Sequence, residues 1–193
     1  MIVVSNIDTW GFEHAIRGMR NPMNSWSKGD NLGPEDLRLM RNLYKAGTEH
    51  RKYLRQIFVS MDIVAPLYWW KEFDTYKVGT TANSCSTMHK LASRDITLDD
   101  FSCEHLIKTD VINSVIKDIN EYRALYLETK DTQYWWQMIQ LLPSSYNQRR
   151  TVTMNYENVV TIIKQRTAHK LDEWRIFVET LKRLPYILEI TEE

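Results

Sequence analysis

Residues 57–66 read IFVSMDIVAP, and this stretch decides the fold class. Its apolar positions, Ile57, Val59, Met61 and Ile63, alternate with Phe58, Ser60 and Asp62. A period of two is typical of a strand that turns one face to the core. Pro66 then favours the start of a helix, because its fixed φ suits the first helical position. The pattern predicts a strand that ends at Ala65-Pro66 and leads directly into a helix.

Helical patterns dominate the rest of the chain. They are found at 13–19, from Pro34 to just before Gly47, at 111–126, at 132–142, from Asn155 onward, and at 171–181. Asn155 is a good N-cap residue because its side chain accepts a hydrogen bond from the first helical turn. A brief strand is expected at 151–153, and a long irregular loop is expected between the helix at 13–19 and Pro34. We therefore predict a single α+β domain over residues 1–193, dominated by helices.

The composition narrows the classes of partner. Lys+Arg and Asp+Glu both number 25, so the net charge is zero, and the basic excess of a nucleic-acid binder is missing. The sequence has neither an apolar run of about 20 residues, as a membrane span requires, nor a leader at residues 1–4. Two cysteines are too few for a disulfide framework. We expect a cytoplasmic protein with free thiols that binds neither nucleic acid nor membrane.

The segment after the strand is unusually polar. Residues 65–90 read APLYWWKEFDTYKVGTTANSCSTMHK, with an aromatic cluster followed by hydroxyl, amide and imidazole groups between Asn83 and His89. Such groups need hydrogen-bond partners when they leave water. We therefore interpret this segment as the part of the protein that faces a ligand.

Metal and thiol chemistry are alternatives for the same region. Potential ligands occur at Cys85, His89, Cys103 and His105. The repeated Cys or His pair of a structural zinc site is missing, so we expect no metal. Cys85 is a nucleophile candidate with His89 as its base if both share a helical face. Inert packing of the thiol and surface histidines explain the same residues.

Phosphate recognition has its own candidates. The chain has six glycines and no glycine-rich phosphate loop, so an arginine fork is the remaining device. Arg166, at the end of the helix that Asn155 opens, is the first candidate; a cation near a helix C-terminus is also simply favourable. Glu72 lies in an otherwise apolar segment and contacts either a ligand or Lys71 or Lys77. Arg149, Arg150 and Arg175 are expected to be solvated.

Two separated segments together resemble one family. The first is the Ala65-Pro66 strand end, its helix, and residues 75–89, TYKVGTTANSCSTMH. The second is Leu142-Pro143, a short strand, Asn155, and Arg166 eleven residues later. With the Leu43-x3-Gly47-x2-His50 turn, they are similar to the flavin-dependent thymidylate synthases over about 34–185. The family signature R-H-R-x2-S-x-N-E-x-S-x-R-Y corresponds to 75–89.

The resemblance implies a fold and a set of site residues. The fold is helix-dominated with a small central antiparallel sheet, in a homotetramer whose sites lie at subunit junctions. The implied ligand-binding residues are Glu72, Tyr76, Lys77, Asn83, Ser84, Ser86, His89, Asn155 and Arg166. FAD is the implied cofactor, with His50 and Asn155 as its contacts. Small proteins of this kind also resemble phage and prophage products.

The departures from the signature change the expected activity. Thr75 and Met88 stand where the family has arginine, Tyr76 where it has histidine, and His89 where it has tyrosine. Each lost charge-assisted hydrogen bond costs about 1.5–3 kcal/mol. We therefore expect a divergent relative that binds a nucleotide or nucleotide-like molecule in a retained inter-subunit cleft without thymidylate synthase activity.

Two other functions stay open. One is a flavin-dependent enzyme with altered chemistry, using flavin or the Cys85 and His89 pair. The other is an oligomeric interaction protein without a small ligand. In that case its tryptophans anchor subunit contacts, namely Trp69, Trp70, Trp135 and Trp136.

Overall fold

The computed structural model describes residues 1–191. Its four strands form one small antiparallel sheet in the order β1-β2-β4-β3. The strands are β1 (Val3–Trp10), β2 (Phe58–Pro66), β3 (Thr80–Ser84) and β4 (Asn147–Asn155). The predicted α+β class is confirmed, and so is the strand that ends at Pro66.

Nine α-helices are described within residues 1–191. They are α1 (Phe12–Arg20), α2 (Pro34–Lys45), α3 (Leu67–Phe73), α4 (Thr87–Lys90), α5 (Asp110–Thr129), α6 (Thr132–Leu141), α7 (Tyr156–Arg166), α8 (Asp172–Lys182) and α9 (Ile187–Thr191). The predicted helices are all confirmed, while α4 and α9 were not predicted. None of the helices in this part of the chain is long and apolar enough to cross a membrane.

The strands differ from expectation at the edges of the sheet. β1 and β3 were not predicted, and β4 is longer than the brief strand expected at 151–153. Both unpredicted strands are edge strands, and most of their side chains are exposed. In β1 the positive φ of Asn6, 51°, also interrupts the extended backbone. An exposed, interrupted strand has no reason to alternate apolar and polar residues.

The two central strands explain the alternation in the sequence. On β2, the side chains of Val59, Met61, Ile63 and Ala65 are all buried. Asp62 points to the opposite face, where it accepts hydrogen bonds from Asn6 Nδ2 at 2.7 Å and from Thr151 Oγ1 at 2.5 Å. Those two bonds offset the cost of burying a carboxylate at the sheet.

The chain folds into two compact units. The first comprises Met1–Val3, Ile63–Thr75 and Asn83–Arg150. The second comprises Val4–Asp62, Tyr76–Ala82 and the chain from Thr151 onward. The helix predicted after Pro66 ends at Phe73, three residues before Tyr76, and Tyr76 belongs to the second unit.

Aromatic packing fills the first unit. Trp69 is 0% exposed and Trp70 1%, and their ring centroids lie 4.9 Å apart. Phe73 stacks on Trp69 at 5.1 Å. Since Trp69 and Trp70 are already buried in the single chain, the hypothesis that they anchor subunit contacts is wrong.

The second unit buries the start of α7. The Asn155 side chain caps this helix by accepting a hydrogen bond from the Asn158 backbone N–H at 3.1 Å, as its sequence position predicted. Gly79 packs directly against the same amide: a Cβ at Gly79 would lie 2.3 Å from Asn155 Nδ2. The cap therefore depends on the absence of a side chain at residue 79.

A double-mutant cycle tests this packing. Gly79 has a φ of +74°, so Gly79→Ala adds backbone strain in any background. In the wild type the new Cβ also displaces the Asn155 cap, whereas in Asn155→Ala the amide that the Cβ would meet is absent. We expect Gly79→Ala to lower the free energy of unfolding by about 1 kcal/mol more in the wild type than in Asn155→Ala. Urea denaturation measures all four proteins, and equal losses in the two backgrounds would contradict the packing.

Candidate functional site

In the second unit, Arg166 is held by two aromatic residues. Its Nε donates to the hydroxyl of Tyr76 at 2.8 Å, and its guanidinium carbon lies 4.5 Å from the ring centroid of Trp174. The Tyr76 hydroxyl in turn donates to Gln165 Oε1 at 2.9 Å. The structure thus brings together Tyr76 and Arg166, two predicted site residues that are far apart in the sequence.

These two contacts fix the orientation of the Arg166 guanidinium. Trp174 is 0% exposed, so its ring is a rigid platform for the stacked cation. The hydrogen bond at Nε sets the rotation of the guanidinium plane on that platform. A planar fork held in one orientation suits phosphate or carboxylate recognition. Its location in the last turn of α7 is also favourable for a cation, as the simpler interpretation expected.

Asn155 and Arg166 lie at opposite ends of α7. Since a helix rises 1.5 Å per residue, they are about 16 Å apart along its axis. The Asn155 side chain is 8% exposed and is committed to the cap. Sequence spacing alone suggested a shared site, whereas the helix separates the two residues.

A second asparagine fastens the turn that carries Lys77. Asn158 Nδ2 donates to the carbonyl of Val78 at 2.6 Å and to Thr80 Oγ1 at 2.8 Å. Lys77 directly follows Tyr76 in the sequence and is exposed. Sequence reasoning missed Asn158, and its only available signal was its place one turn after the cap.

In the first unit, the polar segment lies at the surface. Asn83 and Ser84 are exposed in β3, and His89 is exposed on α4. Ser86 Oγ accepts from the His89 backbone N–H at 3.3 Å and so caps α4. Water can satisfy most of these polar groups, so their contact with a ligand remains a prediction. Glu72 lies half-buried on α3.

Arg150 was expected to be solvated, and this prediction is wrong. Its guanidinium stacks 4.2 Å from the Trp70 ring centroid and pairs with Asp74 Oδ1 at 2.7 Å. Its Nε donates to Gln148 Oε1 at 2.9 Å, and Gln148 Nε2 donates to the carbonyl of Cys85 at 3.0 Å. The network ties the polar segment to β4. Adjacent residues of a strand point to opposite faces. Had the sequence predicted that β4 includes residues 149 and 150, it would have predicted different environments for Arg149, which is exposed, and Arg150.

The second unit also contains a cavity beside His50. Its volume is about 710 Å³, within the range of small-molecule sites. Met19, Met23, Leu39 and Leu43 form its apolar lining, and Glu49, His50, Lys52 and Arg55 form its polar lining. Burial raises the pKa of Tyr53 in this wall, and its hydroxyl donates to the carbonyl of Met40 at 2.7 Å. Sequence reasoning found only His50, because the lining combines separate segments, among them residues 18–23, which precede Pro34.

The cysteines do not form a catalytic pair on a helix. Cys85 precedes α4, so it does not share a helical face with His89, and that condition of the nucleophile hypothesis fails. Cys85 is exposed, whereas Cys103 is half-buried and burial raises the pKa of its thiol. Among residues 1–191, no group of three or more His, Cys, Asp or Glu side chains is placed to hold a metal ion.

Comparison with solved structures defines the fold class. The chain aligns over 99% of its length with the flavin-dependent thymidylate synthase ThyX of Helicobacter pylori in complex with FAD and dUMP, covering 97% of that chain at a TM-score of 0.75 and 14% identity. A UMP/dUMP methylase, PolB of Streptomyces cacaoi, bound to 5-Br UMP, aligns over 94% of this chain and 87% of its own at a TM-score of 0.68 and 14% identity. No family profile and no curated protein matches the sequence.

The chain therefore has the fold of the flavin-dependent thymidylate synthases. The sequence resemblance predicted this fold from the Ala65-Pro66 strand end and from the spacing between Asn155 and Arg166. At 14% identity the likeness establishes the fold and leaves the chemistry to be argued from the residues.

The two thiols provide a direct test of the polar segment's exposure. We expect Cys85 to react with Ellman's reagent at neutral pH much faster than Cys103, because only a thiolate reacts and burial disfavours that form at Cys103. Cys85→Ser should remove the fast phase, and the matched Cys103→Ser should retain it. Equal rates in the two variants would contradict the difference in exposure between the two thiols.

Proposed function

We propose that this chain binds a nucleotide or nucleotide-like molecule, with Arg166 contacting its phosphate, and that it lacks thymidylate synthase activity. The observation that carries the proposal is that Arg166 stacks on Trp174 and donates a hydrogen bond to Tyr76. Two solved structures with this fold add support, since one contains dUMP and the other 5-Br UMP.

A single held arginine favours a monophosphate. Bidentate pairing with a guanidinium is among the stronger charge-assisted interactions, and pre-orientation lowers the entropy lost on binding. We propose as further ligand contacts Glu72, Tyr76, Lys77, Asn83, Ser84, Ser86 and His89, while Asn155 contributes by capping α7, the helix that carries Arg166. A homotetramer in the cytoplasm, with its cleft between subunits, and a phage or prophage origin are parts of the same proposal.

The residues of the signature segment do not fit a flavin diphosphate. Within residues 75–89, Lys77 is the only lysine or arginine, where the family signature has three arginines. A diphosphate in a confined site needs several cationic donors. This deficit is also the reason to propose that thymidylate synthase activity is absent.

Flavin at the His50 cavity is the second candidate function. The cavity combines an apolar wall with Lys52 and Arg55, which suits a planar anionic molecule. An enzyme with altered chemistry would then place His50 at the ring.

The phosphate contact is tested with Arg166→Ala and Arg166→Lys against the exposed control Arg183→Ala. We expect Arg166→Ala to weaken UMP or dUMP binding about tenfold or more, since a charge-assisted bond contributes about 1.5–3 kcal/mol. Arg166→Lys should recover part of the affinity, because it keeps the charge but not the fork. Isothermal titration calorimetry measures each variant after a thermal-melt check of folding.

The proposal fails if Arg166→Ala and the wild type bind every nucleotide tested with equal affinity. It also fails if Arg183→Ala causes the same loss, since the effect would then reflect total charge.

The flavin candidate is tested by titrating the wild type with FAD and FMN while recording flavin fluorescence. Under the nucleotide proposal we expect no saturable change. Saturable binding that Lys52→Ala weakens, and that the exposed control Lys45→Ala does not, would favour the flavin candidate instead.

A further inference from the structure

A small aromatic pocket lies beside the polar segment of the first unit. Its volume is about 500 Å³, and its lining consists of Met88, His89, Ala92, Tyr126 and Trp135. Met88 and His89 belong to α4, Tyr126 to α5 and Trp135 to α6. The pocket therefore lies where α5 and α6 meet the segment that corresponds to the signature.

Two side chains hold the backbone at this pocket. Trp135 Nε1 donates to the carbonyl of Met88 at 3.2 Å, and Arg123 Nε donates to the carbonyl of Ala92 at 3.0 Å. Trp135 also packs edge-on against Trp136, with ring centroids 4.9 Å apart. The indole thus has a fixed orientation, and its N–H is used within the chain. What Trp135 offers a ligand is ring surface.

The lining selects a planar, uncharged ring. Two aromatic side chains and a polarizable methionine favour stacking and sulfur–aromatic contact. His89 adds an imidazole to the lining, which can both donate and accept a hydrogen bond. A heteroaromatic ring with nitrogen or oxygen at its edge can bond to His89, whereas a hydrocarbon cannot.

A phosphate does not suit this pocket. Its lining, taken over the part of the chain that the structure describes, contains no lysine or arginine, and Met88 stands at the position where the resembling family has an arginine. The change from a cation to a thioether replaces a charge-assisted contact by a dispersion contact. Such a change favours an aromatic ligand group over a charged one.

We infer that the pocket of Met88, His89, Ala92, Tyr126 and Trp135 binds a neutral planar heteroaromatic ring, such as a nucleobase, by stacking on Trp135 with a hydrogen bond to His89. This site goes beyond the proposed function because it uses neither Arg166 nor a phosphate. Because stacking is the main contact, a purine, with its larger ring surface, binds more tightly than a pyrimidine. The pocket otherwise discriminates only weakly between bases.

A second exposed tryptophan provides the control for the test. Trp26 is 58% exposed and outside the lining. Adenosine and uridine are titrated into the wild type, Trp135→Ala and Trp26→Ala by saturation-transfer NMR and calorimetry. We expect Trp135→Ala to weaken adenosine binding at least about fivefold, the lower end of a base–aromatic stack, and Trp26→Ala to change it less than about twofold.

Two milder variants keep the test valid if Trp135→Ala does not fold. Trp135→Phe retains a ring and should bind adenosine more tightly than Trp135→Ala, and His89→Gln should retain most of the affinity that His89→Ala loses. A wild type that binds neither nucleoside overturns the inference. So do equal losses in Trp135→Ala and Trp26→Ala.

Two variants separate this inference from the proposed function. Adenosine has no phosphate, so Arg166→Ala should weaken UMP binding and leave adenosine binding unchanged, whereas Trp135→Ala should weaken adenosine binding. If Arg166→Ala leaves UMP affinity unchanged while Trp135→Ala still weakens adenosine binding, the proposed function fails and the pocket stands. If Arg166→Ala weakens UMP binding while Trp135→Ala leaves adenosine binding unchanged, the pocket fails and the proposed function stands.

Discussion

The burial of one face of β2 is the constraint on which the rest of the structure depends. Val59, Met61, Ile63 and Ala65 are each at most 1% exposed, and full burial of a large apolar side chain contributes about 1.5–3 kcal/mol. A slip of one residue would expose all four, so the register of β2 is fixed. Its neighbour β4 ends at Asn155, which opens α7, and α7 ends at Arg166. The burial of β2 therefore fixes, through β4 and α7, the position of Arg166.

The sequence predicted the fold where burial leaves a periodic trace. β2 alternates because one face is in the core, and the longer helices show their apolar faces. The edge strands β1 and β3 have no such trace, because most of their side chains meet solvent on both faces. Apart from the helix predicted at 13–19, the segment before Pro34 has no such trace either, and it supplies part of the lining of the His50 cavity.

The candidate site was predictable only in part. Single residues such as Asn155 and Arg166 follow from spacing, but contacts between distant segments do not. The hydrogen bond from Arg166 to Tyr76 joins residues 90 positions apart, and no local pattern marks it. Arg150 shows the opposite error, since its charge suggested solvent while Trp70 and Asp74 hold it. The loss of signature cations is legible in the sequence, but the aromatic pocket beside Met88 required the fold.

Native mass spectrometry of the purified protein, recorded with and without added UMP and dUMP, tests the central claim most directly. That claim is that a thymidylate synthase-like fold has kept a nucleotide ligand after losing most of the signature cations. The account predicts a folded oligomer that gains the mass of the nucleotide in saturable steps. An oligomer that stays free of nucleotide at millimolar concentrations of both would contradict it.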